Sequence, residues 1–476
     1  MIGEPISTAP DFLLLDASAA PPRGRTSWLV AELRAAIADG RLPEGRTLPA
    51  SRALAAELGL ARGVVVAAYQ RLADEGLIGG RQGAGTVVLN APGERPVTGR
   101  PRPSTGLRLP VARLPSGAGI DLSPGVPDLS AFPRAGWQRA ERAVLAECDA
   151  GEFGYGDPRG AEALRVELSG WLGRTRGLRV HPDDIVIVAG VAQALALVAR
   201  ALLARGIDSM AVEDPGSRGA LDQLRWWGIR PVPVPVDEAG LQVDRLRRTR
   251  APAVLVTPAH QFPTGFVLAP ERRRDLLDWA ADAELIVEDD YDAEYRYDRA
   301  PVPALHASAP ERIAYTGSTS KTLAPGLRLG WLIPPPHLHD AIVAAKHAAD
   351  LGSPTLPQLT LARLLANGQY ERHVRLMRAR HRARRDALAG ALRAVLPDTR
   401  IQGVAAGLHL LITLRAGVDD VALAERLRAA GVQVHPLSWH RVRPGTPGLV
   451  LGYAGQPPDR LREAAAVVAR AVVSAR

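Results

Sequence analysis

"GSTSKTLAPGLRLG", residues 317–330, decides how this sequence is read. It carries Lys321, one of two lysines in the chain; the other is Lys346, and arginine supplies the rest of the 59 basic residues. A chain that uses arginine for nearly every positive charge keeps a lysine here, between small hydroxyl residues and ahead of the Pro325-Gly326 turn. Arginine serves wherever a solvated cation is needed, but it does not give up its proton. A desolvated lysine does, and its neutral amine condenses with an aldehyde or ketone to form a Schiff base. Ser318 and Ser320 add hydroxyls, and Arg328 follows past the turn. Amine, hydroxyls and guanidinium are the set that a phosphate-bearing aldehyde requires. Such a ring also needs a carboxylate to keep its nitrogen protonated. "AELIV" (283–287) reads as a buried strand running into the acids of "EDDYDAEYRYD" (288–298), and Asp289 stands where an α/β sheet binds its ligands. The constellation indicates pyridoxal 5′-phosphate.

The rest of the chain sets bounds on that reading. With 476 residues the prior is two or more domains. Hydrophobic residues make up 46% and charged residues 23%, an ordinary globular balance. The single cysteine, Cys148, excludes an intramolecular disulfide and fits a reducing compartment. The first residues lack the basic run of a signal peptide, and no stretch is apolar enough for a membrane span. A cytoplasmic protein without a membrane partner is expected. The net charge of +9 is spread unevenly. Residues 1–90 are neutral, with nine arginines against nine acids, whereas 91–120 hold five arginines against one glutamate.

That stretch, 91–120, also holds six prolines and five glycines and reads as a linker. It separates a small domain, 12–90, from a large one, 121–476, which is long enough to divide into a large and a small lobe. In the small domain "TSWLVAELRAAIADG" (26–40) predicts a helix started by Thr26 or Ser27, with Trp28, Leu29, Leu33 and Ile37 on one face. "SRALAAELG" (51–59) and "LARGVVVAAYQRLADEG" (60–76) follow as two helices joined at Leu58-Gly59-Leu60. "LIGGRQGAGTVV" then reads as two strands around a Gly-rich loop carrying Arg81. Three helices and a hairpin make a winged helix-turn-helix. Ser51, Arg52, Arg62, Gly63, Arg81, Gly85 and Thr86 are its candidate DNA contacts, with Arg62 at a helix start able to reach guanine edges or phosphate. Tyr69 is assigned to the core.

Residues 40–88 resemble the DNA-binding domain of GntR-type transcription regulators. The matching motifs are Leu-Pro-x-x-Arg (Leu48 to Arg52), Tyr-x-x-Leu (Tyr69 to Leu72) and Gly-x-Gly-Thr (Gly83 to Thr86). Ala61-Arg62-Gly63-Val64 departs from the family's Ser-Arg-x-Thr and loses two hydroxyls. Residues 121–476 resemble a fold-type I aminotransferase through "FGYGDPRG", "AGVAQAL", "VEDPG", "TPAHQFPTG", "EDDYDAEYRYD" and "GSTSKTLAPGLRLGW". The whole chain is similar to the MocR-type subgroup of GntR regulators. The resemblance implies a winged helix-turn-helix joined to an α/β fold-type I domain that binds pyridoxal phosphate.

Carried over residue by residue, the resemblance makes Lys321 the Schiff-base lysine, Asp289 the partner of the ring nitrogen and Tyr291 a donor to the ring hydroxyl. Ser318, Ser320, Arg328 and the backbone of Val191-Ala192 would hold the phosphate. Tyr155 would reach in from the other subunit of a homodimer. Ser217 stands where the family places a stacking tyrosine, and "GLVLGYAG" lacks the arginine that binds a substrate carboxylate, for which Arg441 and Arg443 are the candidates. These departures favour a regulator that senses pyridoxal phosphate or a small amino compound and binds a double-stranded DNA operator. The alternative is an active aminotransferase with a vestigial helix-turn-helix. No metal is expected.

Overall fold

The computed structural model describes residues 13, 15–21, 23–81, 85–89, 119–292, 294–298, 303–403 and 405–475. The chain divides into two compact units, Met1–Pro110 and Val111–Arg476. Most of the linker assigned to 91–120, and Gly83 of the wing, lie outside the described residues.

The first unit holds helices α1 (Arg25–Ala38), α2 (Ser51–Glu57) and α3 (Arg62–Asp74), then the hairpin β1 (Ile78–Arg81) and β2 (Gly85–Val88). The helix starts differ from expectation. Gly24, not Thr26 or Ser27, takes the cap position of α1, and α2 begins at Ser51 without a side-chain cap. The buried stripe of α1 is Leu29, Val30, Leu33, Ala36 and Ile37. Spacings of four, seven and eight residues from Leu29 define that face, which leaves Trp28 at its edge, half-buried. Gly59 takes φ +61° and turns the chain from α2 into α3. Tyr69 is buried, and its hydroxyl donates to the carbonyl of Pro49 over 2.9 Å. Arg81 pairs with Gly85 and closes β1 instead of standing in the loop.

In the second unit the strands are β3 (Ile120–Asp121), β4 (Val186–Val188), β5 (Ser209–Asp214), β6 (Arg230–Asp237), β7 (Gly240–Leu241), β8 (Ala253–Val256), β9 (Leu285–Asp289), β10 (Ile313–Ser318) and β11 (Gly330–Ile333). β12 (Ile401–Gln402), β13 (His409–Thr413), β14 (Val432–Gln433), β15 (His435–Pro436) and β16 (Gly448–Gly452) follow. The main sheet runs β4-β11-β10-β9-β8-β5-β6-β7. β9 lies between β8 and β10, parallel to both, and its two faces pack into separate cores, Leu285 and Val287 on one side and Ile286 on the other. This is why Leu285, Ile286 and Val287 form an unbroken apolar run with no exposed surface. The parallel strands end on one edge, where Asp214, Asp289 and Ser318 stand. β11 is antiparallel, with Gly330 opposite both Ser318 and Val188, and it draws the turn after β4 to the same edge.

The smaller lobe is built on the sheet β12-β13-β16-β15. Its core joins Leu410, Ile412, Leu449 and Leu451 to Leu388, Leu427 and Leu461 from the surrounding helices. Ile120, expected at the end of the linker, pairs in parallel with Val432 and so belongs to this lobe, because its apolar side chain is buried there. The lobes are latched by a loop. The Val442 and Arg443 N–H groups donate to the buried Asp214 carboxylate over 2.9 and 3.1 Å, and the Gly216 N–H donates to the His440 carbonyl over 2.8 Å.

Candidate functional site

Lys321 follows β10, and its half-buried ammonium donates to the carbonyl of Gly125 over 2.5 Å. Gly125 has φ +79°, and a Cβ there would stand 3.0 Å from Lys321 Nζ, so a glycine is what admits the amine. Burial lowers the Lys321 pKa below its usual value, against the pull of Asp292 and Asp289. The neutral amine is the nucleophilic form.

Asp289, at the end of β9, keeps one buried carboxylate oxygen, Oδ1, with no hydrogen-bond partner among the described residues. Burial pushes its pKa from 3.8 to about 7; Asp290 and Asp292 add to the rise and Lys321 opposes it. A buried acceptor without a donor indicates that a donor is missing. A protonated ring nitrogen is a donor of the right kind.

The phosphate candidates meet at the turn between β4 and the helix α6 (Val191–Ala204), here named by its place in the chain order after α4 (Arg134–Glu147) and α5 (Glu162–Arg176). Gly190, with φ +89°, opens α6, and a Cβ on it would stand 3.4 Å from the Arg328 guanidinium. Arg328 donates to the Ala189 carbonyl. A Cβ on Gly330 would lie 2.9 Å from the Gly190 Cα, so two glycines permit strand and turn to touch. Ser318 is buried, and the Ser320 N–H lies 3.4 Å from its hydroxyl. The N–H groups of Val191 and Ala192 fall in the first helical turn, where the backbone has no intrahelical acceptor and favours an anion.

Tyr291 is placed less simply. Its hydroxyl lies 3.0 Å from Nδ1 of His260, and that same nitrogen is 2.8 Å from Asp292. The rings of His260 and Tyr291 stack with centroids 6.1 Å apart. Burial raises the phenol pKa well above its usual value, which leaves Tyr291 a neutral hydrogen-bonding group. His260 and Asp292 are the contributors the motif reading missed, although both lie within stretches that carried the resemblance. Glu213 shapes the same wall. It accepts from Thr257 Oγ1 over 2.6 Å and from Gln261 Nε2 over 3.3 Å, and burial raises its pKa to about 7.

The remaining candidates make other contacts. The Ser217 hydroxyl caps α7 (Arg218–Trp226) by accepting from the Ala220 N–H over 3.3 Å. Arg441 donates to Thr446 within its own loop, and Arg443 is held by its backbone on Asp214. Tyr155 is 92% exposed in the wall of a surface groove of about 1360 Å³. In the first unit Arg52, Arg62 and Gly63 are exposed and Ser51 and Thr86 are half-buried, whereas Gly85 is exposed at the start of β2.

Sequence and fold comparisons agree with this arrangement. The model for aminotransferase class I and II matches residues 119–468, and that for bacterial regulatory proteins of the gntR family matches 26–88. The chain is 33% identical to the HTH-type pyridoxine biosynthesis transcriptional regulator PdxR of Corynebacterium glutamicum, over 95% of this chain and 96% of that one. The chain belongs to the MocR-type subgroup of GntR transcription regulators. Within that subgroup the probable rhizopine catabolism regulatory protein MocR of Rhizobium meliloti is 32% identical over 95% of this chain and 94% of its own. The aminotransferase-like domain superposes on the multiple substrate aminotransferase of Thermococcus profundus with a TM-score of 0.70 and 28% identity, covering 75% of this chain and 92% of that one. The regulator therefore joins a GntR helix-turn-helix to an aminotransferase-like domain. No helix among its described residues is long and apolar enough to cross a membrane.

Proposed function

We propose that this regulator binds pyridoxal 5′-phosphate at Lys321 and that occupation of the site alters its grip on an operator. The observation that carries the reading is the buried, unpartnered Oδ1 of Asp289 on the sheet edge that also carries Lys321. Pyridoxal phosphate supplies an aldehyde that condenses with an amine and a ring that withdraws electrons once its nitrogen is protonated. Asp289 would hold that nitrogen, and Tyr291, already poised by His260, would donate to the ring hydroxyl. Ser318, Ser320, Arg328 and the N–H groups of Val191 and Ala192 would hold the phosphate.

Sensing is favoured over turnover by two placements. Ser217 is engaged as a helix cap and offers no ring, and Arg441 binds Thr446 of its own loop through one nitrogen, leaving its buried Nε without a partner among the described residues. The amino compound sensed, if the signal is one, would enter at Lys321. Tyr155, exposed in its groove, supports a homodimer in which it completes the partner's site. A chromosomal regulator of this kind works in the cytoplasm.

A ligand changes DNA affinity only through different affinities for two states of the protein. A coupling of ~1–3 kcal/mol would shift operator affinity roughly 5–150-fold. The test titrates operator DNA at fixed salt against wild type and Lys321→Ala, each with and without pyridoxal phosphate. A ligand-dependent change in wild type that is lost in Lys321→Ala is expected. Identical wild-type affinity and footprint in both conditions would overturn the reading, and steady transamination without a DNA effect would replace it with the enzyme.

A further inference from the structure

The scarcity of lysine that singled out Lys321 applies equally to Lys346, and Lys346 is completely buried. Its three ammonium donors meet three acceptors. They are the two oxygens of Asp350, at 2.6 and 2.7 Å, and the hydroxyl of Ser353, at 3.0 Å. A compact ammonium satisfies this pocket completely; the flat guanidinium, with five donors in a fixed fork, does not match three such acceptors. Burial lowers the Lys346 pKa and the Asp350 carboxylate resists that shift.

The chain of contacts continues toward the Gly190 turn. Asp350 Oδ2 also accepts from Gln193 Nε2 over 2.7 Å. Gln193 Oε1 in turn accepts from the Ala189 N–H over 2.7 Å, while the carbonyl of Ala189 accepts from Arg328. Ala189, the residue before Gly190, is thus held on both sides, by Gln193 at its N–H and by Arg328 at its carbonyl. Both ties act one residue before the Gly190 turn that opens α6.

We infer that Lys346 is a positioning residue for the phosphate of the cofactor, acting through Asp350 and Gln193 on the turn 189–193. The inference rests on the cofactor reading above. Two effects act in the same direction. With Lys346 in place, Asp350 is neutralised and the Gln193 amide is anchored. Without it, an uncompensated carboxylate stands one hydrogen bond from the first turn of α6, where it repels a phosphate dianion, and the turn loses its support.

The experiment compares pyridoxal 5′-phosphate with pyridoxal, which has the aldehyde and ring but no phosphate. Full-length wild type, Lys346→Met and Gln193→Leu are titrated with each compound, following the visible absorption that appears on binding. Far-ultraviolet circular dichroism checks folding. Both variants are expected to bind pyridoxal phosphate on the order of tenfold more weakly, the equivalent of about one hydrogen bond to a charged group, with pyridoxal binding unchanged. Gln193→Leu keeps the Lys346–Asp350 pair intact and decides the matter alone if Lys346→Met does not fold. Equal weakening for both compounds would make Lys346 merely structural and overturn the inference, as would undiminished phosphate-ester binding in either folded variant. If wild type binds neither compound, the cofactor reading falls first and the inference falls with it.

Discussion

Replacing Asp289 by asparagine should make the protein without added cofactor more stable at neutral pH, and the gain should disappear in acid. The sign follows from the direction of the pKa. Burial raises the carboxyl from 3.8 to about 7, so between those values the folded state binds a proton that the unfolded state has released. Stability therefore falls as pH rises through that window, and the deficit is complete above the folded value. A rise of this size corresponds to roughly 4 kcal/mol at full ionisation. Asparagine still buries an unpaired amide, so the net gain should be nearer ~2 kcal/mol. Glu213, Glu288 and Glu294 are raised to about 7 in the same way, but they are common to both proteins and largely cancel in the difference. Urea unfolding followed by tryptophan fluorescence, from about pH 4 to pH 8, measures the difference directly. A variant no more stable than wild type at the alkaline end would refute the reasoning. So would a difference that does not close toward acid. Pyridoxal phosphate should stabilise wild type more than the variant, because only the carboxylate can hold a protonated ring nitrogen.

Other perturbations test neighbouring parts of the structure. Asp290→Ala strands the Arg176 guanidinium, 2% exposed and bonded to Asp290 over 2.6 Å, and should cost ~3–5 kcal/mol in urea unfolding. Ser217→Ala removes the cap of α7 and should cost ~0.5–2 kcal/mol, measured the same way. Arg62→Ala should weaken operator binding by ~1–3 kcal/mol in gel-shift titrations at fixed salt, and scrambled DNA much less. Equal losses on both DNAs would demote Arg62 to a backbone contact.

Much of the fold was legible because its punctuation is local. Gly59 between two short helices and the apolar run ahead of Asp289 each express one physical requirement, a left-handed turn and a strand covered on both faces. What could not be read depends on residues far apart in the chain. Gly125 lies 196 residues before the lysine it admits, and nothing near it announces that role. The pairing of His260 with Asp292 spans 32 residues, and the motifs containing them gave no sign that the two side chains face each other. Lys346 is the instructive case. The argument from lysine scarcity pointed to it as strongly as to Lys321, but its neighbours in sequence offer no phosphate chemistry. Gln193, which it reaches only through Asp350, stands on another helix. Ser217 was legible as a departure from the family but not as a cap, because a cap is defined by the N–H that meets it.

The loop latched onto Asp214 bears on how freely the two lobes part. Opening them there breaks three backbone hydrogen bonds, those of Val442, Arg443 and Gly216. At ~0.5–1.5 kcal/mol net for each, the closed form is favoured by about 2–4 kcal/mol from this contact alone. With this contact alone deciding, the open form would make up roughly 0.1–3% of the molecules, a reserve small enough to be silent and large enough for a ligand to draw upon. A compound that fits only the open arrangement must give up that fraction of its affinity, whereas one that fits the closed arrangement binds at full strength. On the sensing function proposed above, Asp214 would act as a threshold, and its substitution would shift the concentration at which the regulator responds without touching the residues proposed to recognise the signal.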